Sequence, residues 1–224
     1  MRALFCATCL SWLCLTSTSE AELIANWNFN SYDGDAHTIA ADRSFAPGAS
    51  MEIDASWPST DLSASTGTTE NAFGGDAAGS AVQFANSANN GKGLTMAFSM
   101  DGWYDPVLSF AGRRTGNGFD TNQLLYSTDG VSFTQFGADF DVVQGVNYQT
   151  FSFDLSTVNA LDNVSTAYLR IQWDGAANSS GTSGIDNVQI HAVPEPHGLA
   201  LIGLASFGFI TIRRRRSQTQ KAAA

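Results

Sequence analysis

Cysteine is absent from most of this 224-residue chain. Its three cysteines, Cys6, Cys9 and Cys14, all lie near the N-terminus. Residues 22–193 therefore offer no thiol nucleophile, no thiolate ligand for a metal and no disulfide. A domain formed by this range has to be held together by its hydrophobic core alone.

Basic residues are also scarce in residues 22–193. That range has 19 acidic residues against five basic ones, a net charge of −14. The five basic residues are Arg43, Lys92, Arg113, Arg114 and Arg170. A body this acidic is repelled by phosphate backbones, which excludes nucleic acid as a partner.

The N-terminus has the three parts of a secretory signal peptide. A positive start at Arg2 precedes an apolar run over residues 3–15, and a polar stretch then ends on the small residues Ser19 and Ala21. An apolar run of this length is too short to span a bilayer, which argues against the alternative of a permanent N-terminal anchor. We predict a signal peptide over residues 1–21, whose cleavage also removes all three cysteines.

A second apolar run lies near the C-terminus, over residues 198–212. As a helix it would extend about 22 Å, less than the roughly 30 Å hydrocarbon core of a bilayer, but local thinning accommodates such a mismatch. The run is followed by four arginines, Arg213, Arg214, Arg215 and Arg216. Because basic residues mark the cytoplasmic side, we predict a short transmembrane helix, a body outside the membrane and a cytoplasmic tail over residues 217–224.

Two prolines flank a glutamate directly before this apolar run. Because proline neither continues a helix nor donates a hydrogen bond to a sheet, we predict an extended, accessible hinge here. The motif consists of Val193, Pro194, Glu195 and Pro196. Together with the apolar run and the arginine cluster, it resembles the PEP-CTERM sorting signal of exported bacterial proteins, over residues 193–216.

This resemblance implies a partner and a destination. Proteins with such a signal are recognised by an exosortase-type enzyme, anchored transiently in the bacterial membrane and cut near the motif. They are then delivered to the cell surface or the extracellular matrix. The alternative is an ordinary single-span anchor that is never cut.

Period-two alternation of apolar and polar residues dominates residues 22–192. Leu94 and Met96 alternate with small or polar residues, and Phe151 and Phe153 do the same. Such segments form strands with one buried face, as in antiparallel sheets. Many short strands with turns rich in Gly and Asn predict an all-β domain, an antiparallel β-sandwich of the jelly-roll type.

Two segments of this body have their own patterns. Residues 122–126 and 131–136 flank an Asp-Gly pair at residues 129–130, which favours a hairpin because both turn positions tolerate positive φ. Residues 55–80, rich in Ser, Thr, Gly and Ala, are predicted to form a long surface loop with one edge strand.

Several stretches of the body also resemble a known class of domain. They are Leu108-Ser109-Phe110, Arg113-Arg114-Thr115, residues 126–130 and Ile185-Asp186-Asn187-Val188. They resemble the jelly-roll bodies that stand upstream of PEP-CTERM signals and, more distantly, carbohydrate-binding and MAM-like sandwiches. The resemblance implies a fold rather than an activity.

The body lacks the common catalytic motifs. It has no nucleophile elbow, no zinc-protease motif and no phosphate-binding loop, and its only histidines are His37 and His191. Carboxylate pairs such as Asp101 and Asp105 are numerous, but so many acidic residues produce pairs by coincidence. We predict a protein that is not an enzyme and acts by binding or by structure. A hydrolase of matrix polysaccharide is the alternative.

Three aromatic residues stand near polar loops, where flat rings and neighbouring carboxylates or amides suit sugars. They are Trp57, Trp103 and Tyr104. We predict that they bind a glycan, such as an exopolysaccharide of the matrix. The alternative is that the rings close the edges of the sandwich.

Oxygen-bearing side chains cluster after the first strand and in the last one. Sandwiches often pair those two strands, and Ca²⁺ takes about 6–8 oxygen ligands from such groups, so we predict a structural calcium ion. The predicted site consists of Asn28, Asn30, Asp33, Asp35, Asp186 and Asn187. The alternative is a set of Asx turns that needs no metal.

Overall fold

Thirteen strands and three short 3₁₀ turns form over residues 20–195, the part of the chain that the computed structural model describes. The strands are β1 (Glu22–Trp27), β2 (Thr38–Ala40), β3 (Arg43–Ser44), β4 (Ser50–Ile53), β5 (Leu62–Thr66), β6 (Ser80–Ala85), β7 (Lys92–Phe98), β8 (Trp103–Arg114), β9 (Asn122–Ser127), β10 (Thr134–Phe140), β11 (Gln149–Asp154), β12 (Ala167–Trp173) and β13 (Thr182–Pro194). The turns are Ser59–Asp61, Ser87–Asn89 and Asn159–Leu161.

The predicted transmembrane run and the arginine cluster lie outside the described residues, as does all of the predicted signal peptide except its last two residues. Within residues 20–195, no helix has both the length and the apolar character needed to cross a membrane.

The strands pair into two antiparallel sheets. One sheet has seven strands and contains the order β11-β8-β13-β1-β3, and the other has six strands in the order β10-β9-β12-β7-β4-β2. In the larger sheet, β8 pairs with one edge of β13 along most of its length. On its opposite edge, the first residues of β13 pair with β6 and its later residues pair with β1. β5 pairs with the other edge of β6. The predicted all-β antiparallel sandwich is confirmed, and its layout is consistent with a jelly roll.

Apolar side chains that alternate along the strands form the core. In β12, Leu169, Ile171 and Trp173 are fully buried, while the residues between them are only half-buried. Leu169 lies opposite Met96 of β7, and Ile171 lies opposite Leu94. Burying one such side chain contributes about 1.5–3 kcal/mol. This core supplies the stability that a body without disulfides needs.

Aromatic rings form one compact cluster within the core. The ring centroid of Trp57 lies 4.9 Å from that of Phe84 and 5.7 Å from that of Phe119. Trp173 lies 5.4 Å from Phe84. All four rings are buried. Aromatic pairs at such separations add about 0.5–1.5 kcal/mol beyond the area they bury.

An irregular segment, residues 67–79, connects β5 to β6 and lies against polar side chains of the seven-stranded sheet. We call this segment the strap. It belongs to the surface loop predicted at residues 55–80, and β5 is the edge strand predicted there, since its pairing is with β6 alone.

Polar side chains of β13 that point away from the core hold the first half of the strap. Asp186 accepts a hydrogen bond from the backbone N–H of Thr68 at 2.7 Å. Asn187 donates from its side-chain amide to the carbonyls of Thr68 and Glu70, at 2.7 and 2.8 Å. Each bond joins positions more than a hundred residues apart, so the strap is fixed by the finished sheet.

The second half of the strap is held by Arg43 of β3. Its guanidinium forms a two-point ion pair with Asp76, at 2.6 and 2.7 Å, and lies 5.4 Å from the ring centroid of Phe73. Between the two halves, Gln189 of β13 donates to the carbonyl of Asn71. The strap therefore covers the outer face of the larger sheet from β13 to β3.

Asp186 is fully buried beneath the strap. Burial raises the pKa of this carboxyl to about 7, although hydrogen bonds from the backbone N–H groups of Thr68 and Asn187 act in the opposite direction. In an unfolded chain such a group titrates near pH 4. Between about pH 4 and pH 7 the folded protein thus holds a proton that the unfolded chain has released. The contribution of Asp186 to stability therefore falls as the pH rises through this window.

We predict that Asp186→Asn removes this decline. Asparagine does not titrate, so the free energy of unfolding of the variant loses the fall that the wild type shows from about pH 4 to about pH 7. Burial lowers the pKa of His191, which acts in the opposite sense, but His191 is present in both proteins. The difference between the two curves, measured by urea unfolding at several pH values, isolates Asp186. Parallel curves would contradict the prediction.

Candidate functional site

The outer face of the six-stranded sheet presents a row of polar side chains. They occupy the half-buried or exposed positions that alternate with core residues along four neighbouring strands, β4, β7, β12 and β9. We call this surface the open face; it consists of the polar residues Glu52, Thr95, Gln123, Tyr168, Arg170 and Gln172, together with the half-buried Leu125. The register sets Arg170 directly between Thr95 and Leu125, with Glu52 beyond Thr95. At the usual spacing between strands, this row is about 14 Å long.

Arg170 lies at the centre of the open face. Its Nη2 donates to Oδ2 of Asp54 at 3.2 Å, and its guanidinium lies 5.7 Å from the ring centroid of Phe133. Its Nε is buried and has no hydrogen-bond partner among the described residues. The side chains of Arg170 and Asp54 keep 26% and 27% of their surface exposed, so solvent or a ligand can reach the pair.

A groove of about 290 Å³ lies beside Arg170. Its polar lining consists of His37, Thr38, Glu52, Asp54, Thr95 and Arg170. Burial raises the pKa of Asp54, but hydrogen bonds from Ser56 and the charges of Arg170 and Lys92 outweigh this effect, so the pKa lies below its usual value. Asp54 is therefore a carboxylate at neutral pH, which accepts hydrogen bonds and holds no proton to donate.

The three aromatic residues predicted to bind a glycan do not form one surface. Only 1% of Trp57 and 4% of Trp103 is exposed, because both rings pack into the core. The structure corrects the prediction for these two residues, since neither ring face is open to a sugar; the alternative that such rings close the sandwich describes them better. Tyr104 is half-buried, and its hydroxyl donates to Glu195 at 2.6 Å.

The sequence reasoning misses the open face, although its signal is present. Tyr168, Arg170 and Gln172 are the polar half of the alternation whose apolar half predicts β12. No single residue among them is distinctive in the sequence. They form a continuous polar surface only together with the side chains of β7 and β9, the two strands that pair with β12.

The two halves of the predicted calcium site do belong to neighbouring strands, since β1 pairs with β13. The first half is nevertheless engaged locally. Asn28 accepts from the N–H of Asn30 and donates to Asp76, and Asp33 accepts from the N–H of Asp35. These are Asx-type turns and a strap contact. Across the described chain, no three Asp, Glu, His or Cys side chains group closely enough to hold a metal ion.

Asp186 and Asn187 are the part of the predicted site whose chemistry suits a cation. The carboxyl of Asp186 is buried, and Oδ1 of Asn187 is buried without a hydrogen-bond partner among the described residues. Such oxygens are ligands that Ca²⁺ accepts. The residues after β1 are engaged in the local contacts described above and do not complete a set of ligands with Asp186 and Asn187. The calcium ion therefore stays a prediction.

The sorting motif begins inside the folded body. Strand β13 continues through Pro194, with Val193 opposite Tyr104 and Pro194 opposite Trp103. The body thus extends past its predicted end, and the first two residues of the motif are strand rather than the accessible hinge expected from the prolines. Proline is tolerated at such a position because the end of a strand does not require its missing N–H. Pro196 and the four arginines lie outside the described residues.

Comparison with known proteins identifies the C-terminal signal. Residues 192–216 match the PEP-CTERM protein-sorting motif, which confirms the resemblance found in the sequence. No curated protein matches the chain.

The body resembles carbohydrate-binding modules of known structure. The CBM22-1 xylan-binding domain of Xyn10C from Paenibacillus barcinonensis is 11% identical with a TM-score of 0.45, and the match covers 80% of this chain and 99% of that one. TmCBM61 in complex with beta-1,4-galactotriose is 10% identical with a TM-score of 0.42, covering 73% and 92%. The CBM22-1–GH10 modules of Xyn10B from Clostridium thermocellum, complexed with xylohexaose, are 17% identical with a TM-score of 0.45, covering 77% and 28%. Likeness at this level assigns no ligand to this chain.

The calcium prediction has a thermal test. A bound ion stabilises the folded state by mass action, by about 2.7 kcal/mol at a concentration of 100 times its Kd, so the Tm is expected to be higher in millimolar calcium than in excess chelator. Asp186→Asn is expected to abolish the rise, whereas Asp33→Asn, in the half that does not fit, is expected to keep it. Magnesium at equal ionic strength is the control. A wild-type Tm that is the same in both solutions would rule the site out.

Proposed function

We propose that this chain is an exported bacterial protein, sorted by an exosortase-type enzyme, whose body binds glycans of the cell surface or extracellular matrix. The observation that carries the sorting part is the PEP-CTERM motif at residues 192–216. The signal peptide predicted over residues 1–21 supplies export, and the apolar run over residues 198–212 supplies a transient membrane anchor. Cleavage near the motif then releases the body.

The chemistry of the open face supports the glycan-binding part. Sugar hydroxyls bond best where donors and acceptors stand side by side. The row around Arg170 offers a guanidinium, the amide of Gln172, the hydroxyl of Thr95 and the carboxylate of Glu52. Phe133, placed beside Arg170, adds ring surface for the apolar face of a sugar. The other outer face has its polar groups bonded to the strap, so the open face is the better candidate.

Charge favours a neutral glycan over an acidic one. Arg170 is paired with Asp54, so the face has no uncompensated cation to bind a carboxylate or sulfate group. Glu52 adds a further negative charge at the same groove. The net charge of −14 over residues 22–193 repels polyanions at longer range.

The positions of the acidic groups support binding rather than hydrolysis. A glycosidase needs a carboxylic acid whose raised pKa keeps its proton at neutral pH and which faces the scissile bond. Asp54, in the groove, has a lowered pKa. Asp186 has a raised pKa, but it is buried beneath the strap, where no polysaccharide reaches it.

The sorting proposal predicts a shortened protein. Protein isolated from the cell surface of its host is expected to end near Pro196, because cleavage at the motif removes the apolar run and the arginines. Intact-mass spectrometry measures this end. A host that lacks the sorting enzyme is the control, and there the full-length chain is expected to stay in the membrane fraction. Surface protein that still carries Arg213 to Arg216 would contradict the proposal.

The binding proposal predicts a specific role for Arg170. Arg170→Gln is expected to weaken binding to the host's own exopolysaccharide about tenfold, the effect of losing one hydrogen bond from a charged donor. Retardation in native gels cast with that polysaccharide measures it. Arg43→Gln removes an ion-paired arginine from the strap side and is the matched control, expected to migrate like the wild type. Equal retardation of Arg170→Gln and wild type would contradict the proposal that the open face binds the glycan. Shortening of the polysaccharide by the protein would favour the alternative of a hydrolase.

A further inference from the structure

The glutamate of the sorting motif is bonded to the folded body. The backbone N–H of Glu195 donates to the carbonyl of Gly102 at 2.8 Å. The hydroxyl of Tyr104 donates to Oε1 of the same glutamate at 2.6 Å, and this hydrogen bond raises the pKa of Tyr104. One residue of the motif is thus held through both its backbone and its side chain.

The last residues of β13 pair with β8. Ala192 is the last residue of β13 that pairs with β1, opposite Glu22. Beyond it, Val193 and Pro194 pair with β8. Residues 193–195 can therefore separate from β8 without breaking the described pairs between β13 and β1.

The surface that receives Glu195 is firmly fixed. Oδ1 of Asn163 accepts from the N–H of Gly102 at 2.9 Å, and the N–H of Asn163 donates to the carbonyl of Trp103 at 2.8 Å. The ring of Trp103 is buried in the core. If the two parts separate, residues 193–195 are the part that moves.

We propose that residues 193–195 form a latch, in which the body holds Pro194 and Glu195 closed and the sorting enzyme reaches the motif only after this end of β13 separates from β8. The latch rests on the sorting function proposed above. An enzyme that binds its substrate as an extended segment pairs with the backbone of that segment, and in the closed state backbone groups of residues 193–195 are already bonded to β8 and Gly102. Opening is a local unfolding event with its own free energy. The body, as well as the motif, then sets the rate of processing.

Hydrogen exchange measures the opening without any sorting enzyme. The amide of Glu195 is a clean reporter, because the prolines on either side have no amide hydrogen. In the full-length protein in detergent, Tyr104→Phe is expected to exchange this amide about threefold to tenfold faster, the factor that one lost hydrogen bond gives. Tyr148→Phe, which removes a hydroxyl bonded to the carbonyl of Thr66, is the matched control and is expected to leave it unchanged. Equal exchange in Tyr104→Phe and wild type would overturn the latch.

A cross-link tests whether opening is required for processing. Tyr104→Cys combined with Val193→Cys places two thiols opposite each other in a body without other cysteines. Cross-strand Cα separations of about 4.5–5.5 Å permit a disulfide. In a pulse-chase experiment in the host, the disulfide-bonded chain is expected to accumulate unprocessed, whereas the matching double serine variant is processed at least as fast as the wild type. Processing of the disulfide-bonded chain at the wild-type rate would overturn the proposal.

The two measurements separate the latch from the sorting function. If the host processes no variant, wild type included, the sorting proposal fails. The exchange of the Glu195 amide still decides whether the body holds the motif closed.

Discussion

The pairing of β13 with three other strands is the interaction on which the body depends. β8 lies along one edge, and β6 and β1 share the other. Ile185 and Ile190 of β13 are buried in the core, while Asp186, Asn187 and Gln189 carry the strap. With no disulfide to tie distant segments together, this strand joins the start of the chain, its middle and its end. The strap and the latch both exist only because β13 is in place.

The two outer faces of the sandwich differ in how their polar groups are satisfied. On the larger sheet, Asn187 and Gln189 bond to backbone carbonyls of the strap, so their hydrogen-bonding capacity is used within the protein. On the smaller sheet, Arg170 and Asp54 pair with each other and still keep 26% and 27% of their side-chain surface exposed. Polar groups that solvent reaches can exchange bound water for the hydroxyl groups of a ligand. The proposal that glycans bind at the open face rests on this difference.

Local periodicity predicts the strands but not the surfaces they create. Leu169, Ile171 and Trp173 alternate in the sequence and are buried in the structure. The hairpin of β9 and β10 is also predicted. Its turn is longer than two residues, since β9 ends at Ser127 and β10 begins at Thr134. Within the turn, Asp129 accepts from the N–H groups of Val131 and Ser132, at 2.8 Å each.

The predictions that the structure corrects concern residues whose contacts lie far away in the chain. Trp57 stands in a polar stretch, and nothing in its neighbours shows that Phe84 and Phe119 will bury it. The prolines of the motif predict an open hinge, because the sequence cannot show that Tyr104 lies opposite Val193. The polar residues after β1 have the oxygen atoms that a cation needs, but Asx turns use the same residue types. In each case the residue's environment depends on a neighbour that tertiary packing brings close, and the local sequence does not reveal that neighbour.

The position of β13 at the end of the chain also determines when the body can fold. The side chain of Asn26 in β1 donates to the carbonyl of Val188 across 162 positions, and pairings of such high contact order form slowly. In a chain exported from its N-terminus, β13 is the last part of the body to cross the membrane. The larger sheet cannot close before then, so the body cannot complete its fold while the chain is in transit. Completion of folding and arrival of the Pro-Glu-Pro motif outside the membrane then become the same event.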